Sequence, residues 1–334
     1  MAVSLFAGGD FLFKKLLKAL LIAAAAVVVL AAALVTFLSI TEYQPDAVES
    51  ITVSGSAGAS FVPGDSLSVM TWNTGYCGLG KDSDFFMDGG KNVKSADEAT
   101  VRACLDGIAA LSDELGADLR LYQEVDSDSA RSYGIDEREP LSSGACAYAL
   151  NYSCRFVPFP LTPIGRVNSG LFSVSSASIA EAERISLPCP FNWPVSTANL
   201  KRCLLISRIP LDGTDRQLVL VNLHLEAYDD GEGKAAQTKM LTSILEQEYA
   251  DGNYVIAGGD FNQTFPGSMD AYPIKDGESW TPGMLTCDIM PEGWTLAYDL
   301  GTPTCRLLNA PYDPGSEKTQ VYVIDGFILS PNVR

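Results

Sequence analysis

The sequence predicts a layered α+β or α/β domain preceded by one transmembrane helix. After residue 66, many short apolar runs have the length and composition of strands, and two longer segments carry apolar residues at helical spacing. Strands mixed with amphipathic helices are typical of sheets that are covered by helices. Before that region, residues 19–40 form one apolar run without a charged residue, which is typical of a membrane-spanning helix.

The apolar run ALLIAAAAVVVLAAALVTFLSI occupies residues 19–40. As a helix it is about 33 Å long and crosses a hydrocarbon layer of about 30 Å. It is longer than the apolar core of a cleaved signal peptide, and no clear small-x-small cleavage site follows it. Lys14, Lys15 and Lys18 precede it, which favours a cytoplasmic N-terminus. We therefore expect a cytoplasmic segment (1–18), a single-pass signal anchor in the cell membrane and a domain outside the cytoplasm.

Residues 41–66 lack helical periodicity and are rich in Ser, Gly and Pro. This composition is typical of a linker. A short strand is expected within it at residues 50–53. The folded domain is therefore expected to occupy residues 67–334.

Within residues 67–334, a first helix is predicted from apolar residues at 101, 105, 108, 111 and 115, with Ser95 as its N-cap and Gly116 at its end. A second amphipathic helix is predicted over 234–249. Residues 126–166 are interpreted as loop-rich. Strands are predicted where apolar residues alternate or run together, at 67–73, 118–124, 169–175, 201–209, 217–225, 254–260 and 321–330.

The composition argues against a broad nucleic-acid surface and against a zinc site. The net charge is −18, and residues 41–334 carry 40 acidic against 20 basic residues. Duplex nucleic acid is held through many Lys and Arg contacts, so this balance disfavours such a surface, although it leaves a small phosphoester open. The chain has eight cysteines without CxxC spacing and one histidine, which disfavours zinc. The cysteines are compatible with disulfides or with buried free thiols.

Polar side chains end several of the predicted strands. GGDFNQ (258–263) follows the buried run YVIA, and Asp260 and Asn262 share one face of an extended chain. In isolation this stretch is also typical of a turn. Carboxylate and amide oxygens with few His or Cys suit a hard divalent cation such as Mg²⁺, with Mn²⁺ and Ca²⁺ as alternatives. The polar residues at strand ends, with one inside the last strand, are Asn73, Glu124, His224, Asp260, Asn262 and Asp325.

Other interpretations of these positions stay open at the level of sequence. Asn73 is also typical of a turn cap, and a lone histidine in an apolar run, such as His224, is often a structural residue. Asp88 belongs to an acidic stretch that is interpreted as a solvated loop. Arg131 is interpreted as a member of a surface ion pair, with phosphate contact as the alternative.

The blocks MTWNTG, LYQEVD, SGLFS, VNLHLEAY, GGDFN and VIDGFILS resemble, in sequence and order, the endonuclease/exonuclease/phosphatase family. That family includes deoxyribonuclease I-like nucleases, apurinic endonucleases, neutral sphingomyelinases and inositol polyphosphate 5-phosphatases. The resemblance covers about residues 67–330. It implies a four-layer α/β/β/α sandwich of the deoxyribonuclease I-like type, here in a membrane-anchored, bacterial-type member.

The resemblance also implies roles for individual residues. Asn73 and Glu124 resemble the family's metal-site pair. His224 resembles its phosphate-contacting histidine, and Asp260 the residue that orients or deprotonates the attacking water. Asn262 resembles the phosphate-binding neighbour of that aspartate.

Asp325 resembles the carboxylate that orients the family's last catalytic histidine. In the family that histidine lies in a Ser-Asp-His block on a further strand. This chain ends at Arg334, and His224 is its only histidine. The resemblance therefore implies that the domain at 67–334 lacks its last segment, as a C-terminally truncated member would.

The function expected from these features is Mg²⁺-dependent hydrolysis of a phosphoric ester, of the phosphodiesterase, nuclease or phosphatase type. The substrate is expected to be a small phosphoester, a phospholipid head group or nucleic acid. We expect a monomer that contacts the lipid bilayer through residues 19–40. The alternative is a non-catalytic, membrane-tethered binding module, or a fragment that is inactive because the C-terminal histidine is absent.

Overall fold

The computed structural model describes residues 6–94, 97–229, 231–275, 277–316 and 319–334. In chain order, its α-helices are α1 (Phe6–Ile40), α2 (Glu98–Leu115), α3 (Arg138–Leu141), α4 (Glu232–Ala250) and α5 (Ser268–Ala271). Its strands are β1 (Val48–Ser50), β2 (Ser54–Gly55), β3 (Val69–Asn73), β4 (Leu119–Asp126), β5 (Ala145–Val157), β6 (Gly165–Ser175), β7 (Glu181–Ser186), β8 (Cys203–Pro210), β9 (Gln217–His224), β10 (Tyr254–Asp260), β11 (Gln263–Thr264), β12 (Gly283–Met284), β13 (Thr295–Ala297), β14 (Cys305–Arg306), β15 (Val321–Tyr322) and β16 (Asp325–Leu329).

Two sheets form the centre of the domain. In one sheet the strand order is β1-β7-β8-β9-β10-β16-β13, and in the other it is β2-β5-β6-β4-β3. Strands β9 and β10 are parallel, as are β3 and β4, while the other pairs in these sheets are antiparallel. Two short ladders, β11-β12 and β14-β15, lie outside the two sheets.

The two sheets face each other through an apolar core. This core includes Leu121 of β4 and Leu171 of β6 from one sheet, and Leu205, Leu220 and Ile256 from the other. Along β9, successive side chains point alternately into this core and toward the outer face of the sheet. Both faces of the strand are therefore buried. The outward-facing residues of β9 then need a covering layer, which a helix supplies.

Helices α4 and α2 form the two outer layers. Leu241 and Leu245 of α4 pack on Val219 and Val221 of β9 and their neighbours. On the other sheet, apolar residues of α2 pack on β4 and β6. The order helix, sheet, sheet, helix confirms the predicted four-layer α/β/β/α sandwich.

Helix α1 continues the predicted apolar run and ends against the domain. Its segment Phe11–Ile40 is long and apolar enough to cross a membrane. Residues of its last turns, Leu34 and Leu38, pack on Tyr152 and Val157 of β5. The end of the helix is therefore part of the folded domain.

Several local expectations differ from the structure. Residues 126–166 contain the long strand β5, although small residues in the run ACAYALNYSC obscure its alternation. The segment 41–66 supplies β1 to one sheet and β2 to the other. Of the expected strand 50–53, only Ser50 belongs to a strand, although the backbone N–H of Ile51 still donates to the carbonyl of Ala182 at 2.8 Å. Asp97 caps α2, and its side chain accepts a hydrogen bond from the backbone of Thr100. The predicted cap Ser95 lies outside the described residues.

The last predicted strand, 321–330, is divided between two ladders. β15 pairs with β14, and β16 joins the larger sheet beside β10. The eight cysteines are free thiols, four of them buried, so of the two alternatives the structure has thiols and not disulfides. The buried ones are Cys77, Cys146, Cys154 and Cys203.

Candidate active site

The predicted site residues meet where the two sheets present the ends of their parallel strands. In the larger sheet, the register places Asp260 opposite His224 on one side and opposite Asp325 on the other. In the smaller sheet, Asn73 ends β3 beside β4, which carries Glu124. The four strand ends predicted from the sequence therefore lie at one edge of the sandwich, and all of them border one cleft.

Asn73 connects the two sheets across this cleft. Its Nδ2 donates to Oε1 of Glu124 at 3.0 Å and to Oδ2 of Asp260 at 2.9 Å. Its Oδ1 accepts from the backbone N–H of Gly75 at 3.0 Å, which fixes the orientation of the amide. The nitrogen of Asn73, and not its oxygen, therefore faces the two carboxylates. The predicted bond between Asn73 and a metal ion stays a prediction.

Glu124 occupies an irregular point of β4. The pairing of β4 with β6 shifts register between Tyr122 and Val125, and Glu124 has a positive φ of 56°. A residue in the left-handed region is uncommon for glutamate and marks a bulge. The bulge breaks the alternation of the strand and lets Glu124 reach Asn73 while Tyr122 and Val125 both pack in the core under α2.

The glycines before Asp260 are required by close packing within β10. A Cβ on Gly258 would lie 2.4 Å from the ring of Phe327, and one on Gly259 would lie 2.0 Å from the carbonyl oxygen of Leu223. The glycines therefore lie within the strand, and the turn interpretation of GGDFNQ holds only after Asp260. They let β9 and β16 approach β10 closely enough to place their polar ends together.

Asp260 is buried and holds two hydrogen bonds. Its Oδ2 accepts from Asn73, and its Oδ1 accepts from the backbone N–H of Asn262 at 2.8 Å. Burial raises the pKa of Asp260 to about 6, the negative charge of Glu124 acts in the same direction, and the two hydrogen bonds oppose them. A carboxyl with this pKa exchanges a proton near neutral pH, as a general base requires.

His224 and Asn262 flank Asp260. Nε2 of His224 lies 3.6 Å from Oδ2 of Asp260, and its buried Nδ1 has no hydrogen-bond partner among the described residues. Burial, with the positive charges of Arg202 and Arg131, lowers the pKa of His224, so the ring is neutral at pH 7. Nδ2 of Asn262 donates one hydrogen to the carbonyl of Leu225 at 2.9 Å, which leaves its second hydrogen available.

Asp325 lies on the far side of Asp260 and is poorly satisfied. Its Oδ1 is buried without a hydrogen-bond partner among the described residues. Burial, followed by the nearby charge of Asp260, raises the pKa of Asp325 well above its ordinary value. A side-chain hydrogen bond with Thr304 opposes this rise, so only one oxygen of the carboxyl lacks a partner. A buried carboxyl oxygen without a partner is costly in a stable core and is typical of a functional position.

The cleft that these residues border has a volume of about 1040 Å³. Two groups of its lining were not found as site residues from the sequence. Arg202 lies 3.6 Å from Glu226, and both side chains are buried beside His224. Their charges were visible in the sequence, but only the fold shows that two distant segments meet here.

Arg131 also lines the cleft, in a buried network. It donates to both carboxylate oxygens of Asp126, at 3.0 and 2.9 Å, and its guanidinium lies 3.8 Å from the ring centroid of Tyr76. The interpretation of Arg131 as a surface residue was wrong, because β4 buries Asp126 completely.

The interpretation of Asp88 as solvated was also wrong, since Asp88 is buried and accepts a hydrogen bond from Tyr228 at 2.8 Å.

The side chains present fit a hard divalent cation of the kind that the fold family implies. Among the described residues, no group of three or more His, Cys, Asp or Glu side chains is arranged to hold a metal ion. Mg²⁺ needs only one or two carboxylates, because waters and substrate oxygens complete its shell. Glu124 meets this requirement, since it borders the cleft and its Oε2 accepts no hydrogen bond from any described residue.

No protein-family model matches the sequence. No curated protein matches it either. Among solved structures, an endonuclease/exonuclease/phosphatase from Beutenbergia cavernae DSM 12333 superposes with a TM-score of 0.50 at 16% identity, over 79% of this chain and 64% of that chain. The match thus spans less than two thirds of the Beutenbergia protein.

Two further structures are similar at lower TM-scores. Truncated Caenorhabditis elegans TDP2 has a TM-score of 0.47 at 17% identity, over 79% of this chain and 84% of that chain. ANGEL2, a 2′,3′-cyclic phosphatase, has a TM-score of 0.48 at 15% identity, over 86% and 87% of the two chains. The Beutenbergia match and the four-layer topology show that this chain has the deoxyribonuclease I-like fold of the endonuclease/exonuclease/phosphatase proteins.

Proposed function

We propose that the chain is a metal-dependent phosphoester hydrolase, anchored by α1 and acting on the outer side of a membrane. The observation that carries this proposal is that Asn73, Glu124 and Asn262 surround the buried carboxylate of Asp260. Their hydrogen bonds join the ends of strands from both sheets in one cleft. A fold alone does not define an activity, so the proposal depends on this arrangement.

Glu124 is assigned as the carboxylate ligand of the metal ion. When bound, Mg²⁺ would neutralise negative charge on a phosphoryl oxygen. Asn73 keeps the carboxylates of Glu124 and Asp260 apart and oriented, because its Nδ2 donates to both. Two carboxylates this close would otherwise repel each other, and the pKa of the more buried one would rise further.

Asp260 is assigned as the group that orients the attacking water and takes its proton. The water oxygen forms a bond to phosphorus and gives its proton to Asp260, the bond from phosphorus to the leaving oxygen breaks, and the leaving oxygen takes up a proton from solvent. Asp260 starts deprotonated above pH about 6. Asp325, whose pKa burial raises well above its ordinary value, borders the same cleft and is assigned a supporting role toward the leaving oxygen.

Asn262 and His224 are assigned to the phosphate oxygens. Asn262 retains one free amide hydrogen, and neutral His224 carries one N–H in a buried position beside Asp260. Preorganised donors of this kind contribute several kcal/mol to transition-state stabilisation, on the order of 10²- to 10³-fold in rate for one donor. Their positions depend on the register of β9 and β10 and not on a flexible loop.

The test is hydrolysis by the full chain in detergent micelles. Bis(p-nitrophenyl) phosphate and p-nitrophenyl phosphate serve as diester and monoester, each with Mg²⁺, Mn²⁺ or Ca²⁺. Glu124→Gln and Asp260→Asn should each reduce the rate by about 10²- to 10³-fold. Glu246→Gln, an exposed change on α4, serves as the matched control and should retain the wild-type rate.

Wild-type rates in both site variants would show that the site assignment is wrong. Absence of turnover with all three cations would contradict the enzyme itself. If the inactive chain still bound the diester in calorimetry, the non-catalytic binding module would be the better description. Circular dichroism and thermal unfolding of each variant distinguish a lost catalytic group from a lost fold.

A further inference from the structure

The end of helix α1 is fixed to the domain beside the cleft. Leu38 is buried, and Leu34 packs with it on β5. Oγ of Ser39 accepts a hydrogen bond from Nε1 of Trp193 at 2.9 Å. Just after the helix, Glu42 pairs with Lys201 at 2.7 Å, and both side chains are largely buried. The helix therefore holds the domain in one orientation.

The same end of α1 forms part of the cleft wall. Leu34, Val35 and Leu38 border the cavity that Glu124 and Asp260 also border. Polar residues such as Asn151 and Asn199 line the cleft as well, and the wall beside the helix has an apolar part. It includes Val157, Phe159, Ile164 and Leu200. A hydrolase for water-soluble phosphoesters has no need of a membrane-spanning helix in its substrate cleft.

The length of α1 sets the depth of these contacts. The apolar segment Phe11–Ile40 has 30 residues and is about 45 Å long, whereas a hydrocarbon core is about 30 Å thick. With Lys18 at the cytoplasmic boundary, about 20 further residues cross the core, which then ends near Leu38. Leu38 therefore lies at the outer boundary of the core and Leu34 about 6 Å below it, so the surface that packs on them reaches from the head groups into the outer part of the core.

An apolar rim lies on the loops that meet this helix end. We define the apolar rim as Phe159, Leu161, Trp193 and Val195, which are all exposed, with Phe159 at 63% and Trp193 at 65%. Neighbouring exposed apolar residues of this size mark a contact surface. The bond to Ser39 places Trp193 at the last turn of α1, where aromatic residues are typical of a membrane interface.

We propose that the cleft opens on the outer surface of the bilayer, that the apolar rim contacts the lipids, and that the substrate is the phosphodiester of a zwitterionic phospholipid. This inference rests on the proposed hydrolase function. The apolar wall beside Leu34 and Leu38 then faces the glycerol and acyl part of the lipid, and the phosphate reaches Glu124 and Asp260. The excess of acidic residues after residue 40 repels an anionic lipid surface, which favours a zwitterionic head group.

The first test compares two substrates in proteoliposomes that contain the full chain. One substrate is phosphatidylcholine in the vesicle, and the other is soluble bis(p-nitrophenyl) phosphate. The double variant Leu161→Ser/Trp193→Ser, outside the cleft lining, should lower the ratio of lipid to soluble hydrolysis at least tenfold. Leu115→Ser is the control, because Leu115 is 60% exposed at the far end of α2 and should leave the ratio unchanged. Vesicles of phosphatidylglycerol should be hydrolysed more slowly than phosphatidylcholine.

The second test does not depend on activity. Phosphatidylcholine brominated near the head-group end of its acyl chains should quench the tryptophan fluorescence of the wild-type chain. Most of this quenching should be lost in Trp193→Phe. Equal quenching in the two chains, or an unchanged substrate ratio in the double variant, would overturn the inference. The inference would also be overturned if a second copy of the chain covered the apolar rim, which would be detected as a dimer that dissociates in the double variant.

Failure of the proposed function has a different signature. If the wild-type chain hydrolyses neither substrate, the hydrolase proposal is overturned, and the lipid substrate is overturned with it. Soluble turnover without lipid turnover overturns only the lipid substrate. The quenching result decides the membrane contact of the rim in either case.

Discussion

Replacement of Asn73 by alanine distinguishes a role in holding the carboxylates from a role as a metal ligand. Asn73 donates to Asp260 at 2.9 Å and to Glu124 at 3.0 Å through the same nitrogen. In Asn73→Ala, Asp260 loses a hydrogen bond that lowers its pKa. Burial and the charge of Glu124, which both raise that pKa, remain. The variant should therefore need a higher pH to deprotonate Asp260.

The size of the effect follows from the strength of the lost bond. A hydrogen bond to a charged group contributes about 1.5–3 kcal/mol, and 1.36 kcal/mol corresponds to one pKa unit. The pKa of Asp260 should thus move from about 6 to roughly 7–8. At pH 6 the deprotonated fraction, and with it the rate, falls about 5- to 50-fold relative to wild type, and the loss is small at pH 9.

The assay is the pH dependence of diester hydrolysis between acidic and alkaline pH, at one saturating Mg²⁺ concentration for all variants. Asn262→Gly is the matched control. Asn262 has a positive φ of 49°, which glycine tolerates, and its backbone N–H still donates to Asp260. This control should lower the rate at every pH, because a phosphate donor is lost, while the acidic limb stays near pH 6.

One result would refute this reasoning. If Asn73→Ala left the acidic limb at its wild-type position and raised the Mg²⁺ concentration for half-maximal rate, Asn73 would act at the metal ion. Its amide would then have to turn from the orientation that the N–H of Gly75 holds in this structure.

Three further predictions follow from the site and its surroundings. Removal of divalent cations with EDTA should reduce hydrolysis to background and added Mg²⁺ should restore it, whereas a rate insensitive to EDTA would exclude the proposed chemistry. The raised folded-state pKa of Asp325 makes the protonated carboxyl the more stable form in the fold, and this contribution to stability is lost as pH rises through that pKa. In urea denaturation with EDTA, the stability of Asp325→Asn relative to wild type should therefore increase as pH rises above about 4, and a constant difference would contradict the burial argument. Arg131→Leu leaves the carboxylate of Asp126 buried without its ion-pair partner, so it should lower the free energy of unfolding by about 3–5 kcal/mol. The exposed control Arg102→Leu should lower it by less than about 1 kcal/mol. Equal losses in the two variants would show that the buried ion pair contributes no more to stability than the exposed one.

The site could be predicted from the sequence where each residue ends a strand of clear pattern. Asn73, His224 and Asp260 each follow an apolar run, and parallel strands place such ends at one edge of a sheet. The role of Glu124 depends on more than its position at a strand end. It reaches Asn73 only because a bulge changes the direction of β4, and no local pattern in LYQEVD indicates a bulge.

Contacts between the sheets could not be predicted, because they join residues 50 to 100 positions apart. Nδ2 of Asn222 donates to the carbonyls of Tyr122 and Phe172, and its Oδ1 accepts from Gln123 at 2.8 Å. In the sequence, Asn222 lies within an apolar run and Gln123 lies in a strand that also carries charged residues, and neither pattern indicates a partner. Their satisfaction in the core depends on the facing of two sheets, which strand periodicity does not specify.

The chemistry proposed for Asp260 also depends on contacts between the two sheets. Its pKa combines burial between β9 and β16, the charge of Glu124 from the other sheet, and hydrogen bonds from Asn73 and from the backbone of Asn262. A sequence motif supplies the carboxyl group, but the proton affinity that suits it to neutral pH comes from four chain segments. The same reasoning applies to the lipid surface, since an apolar helix in the sequence becomes informative about substrate only when its last turns border the cleft.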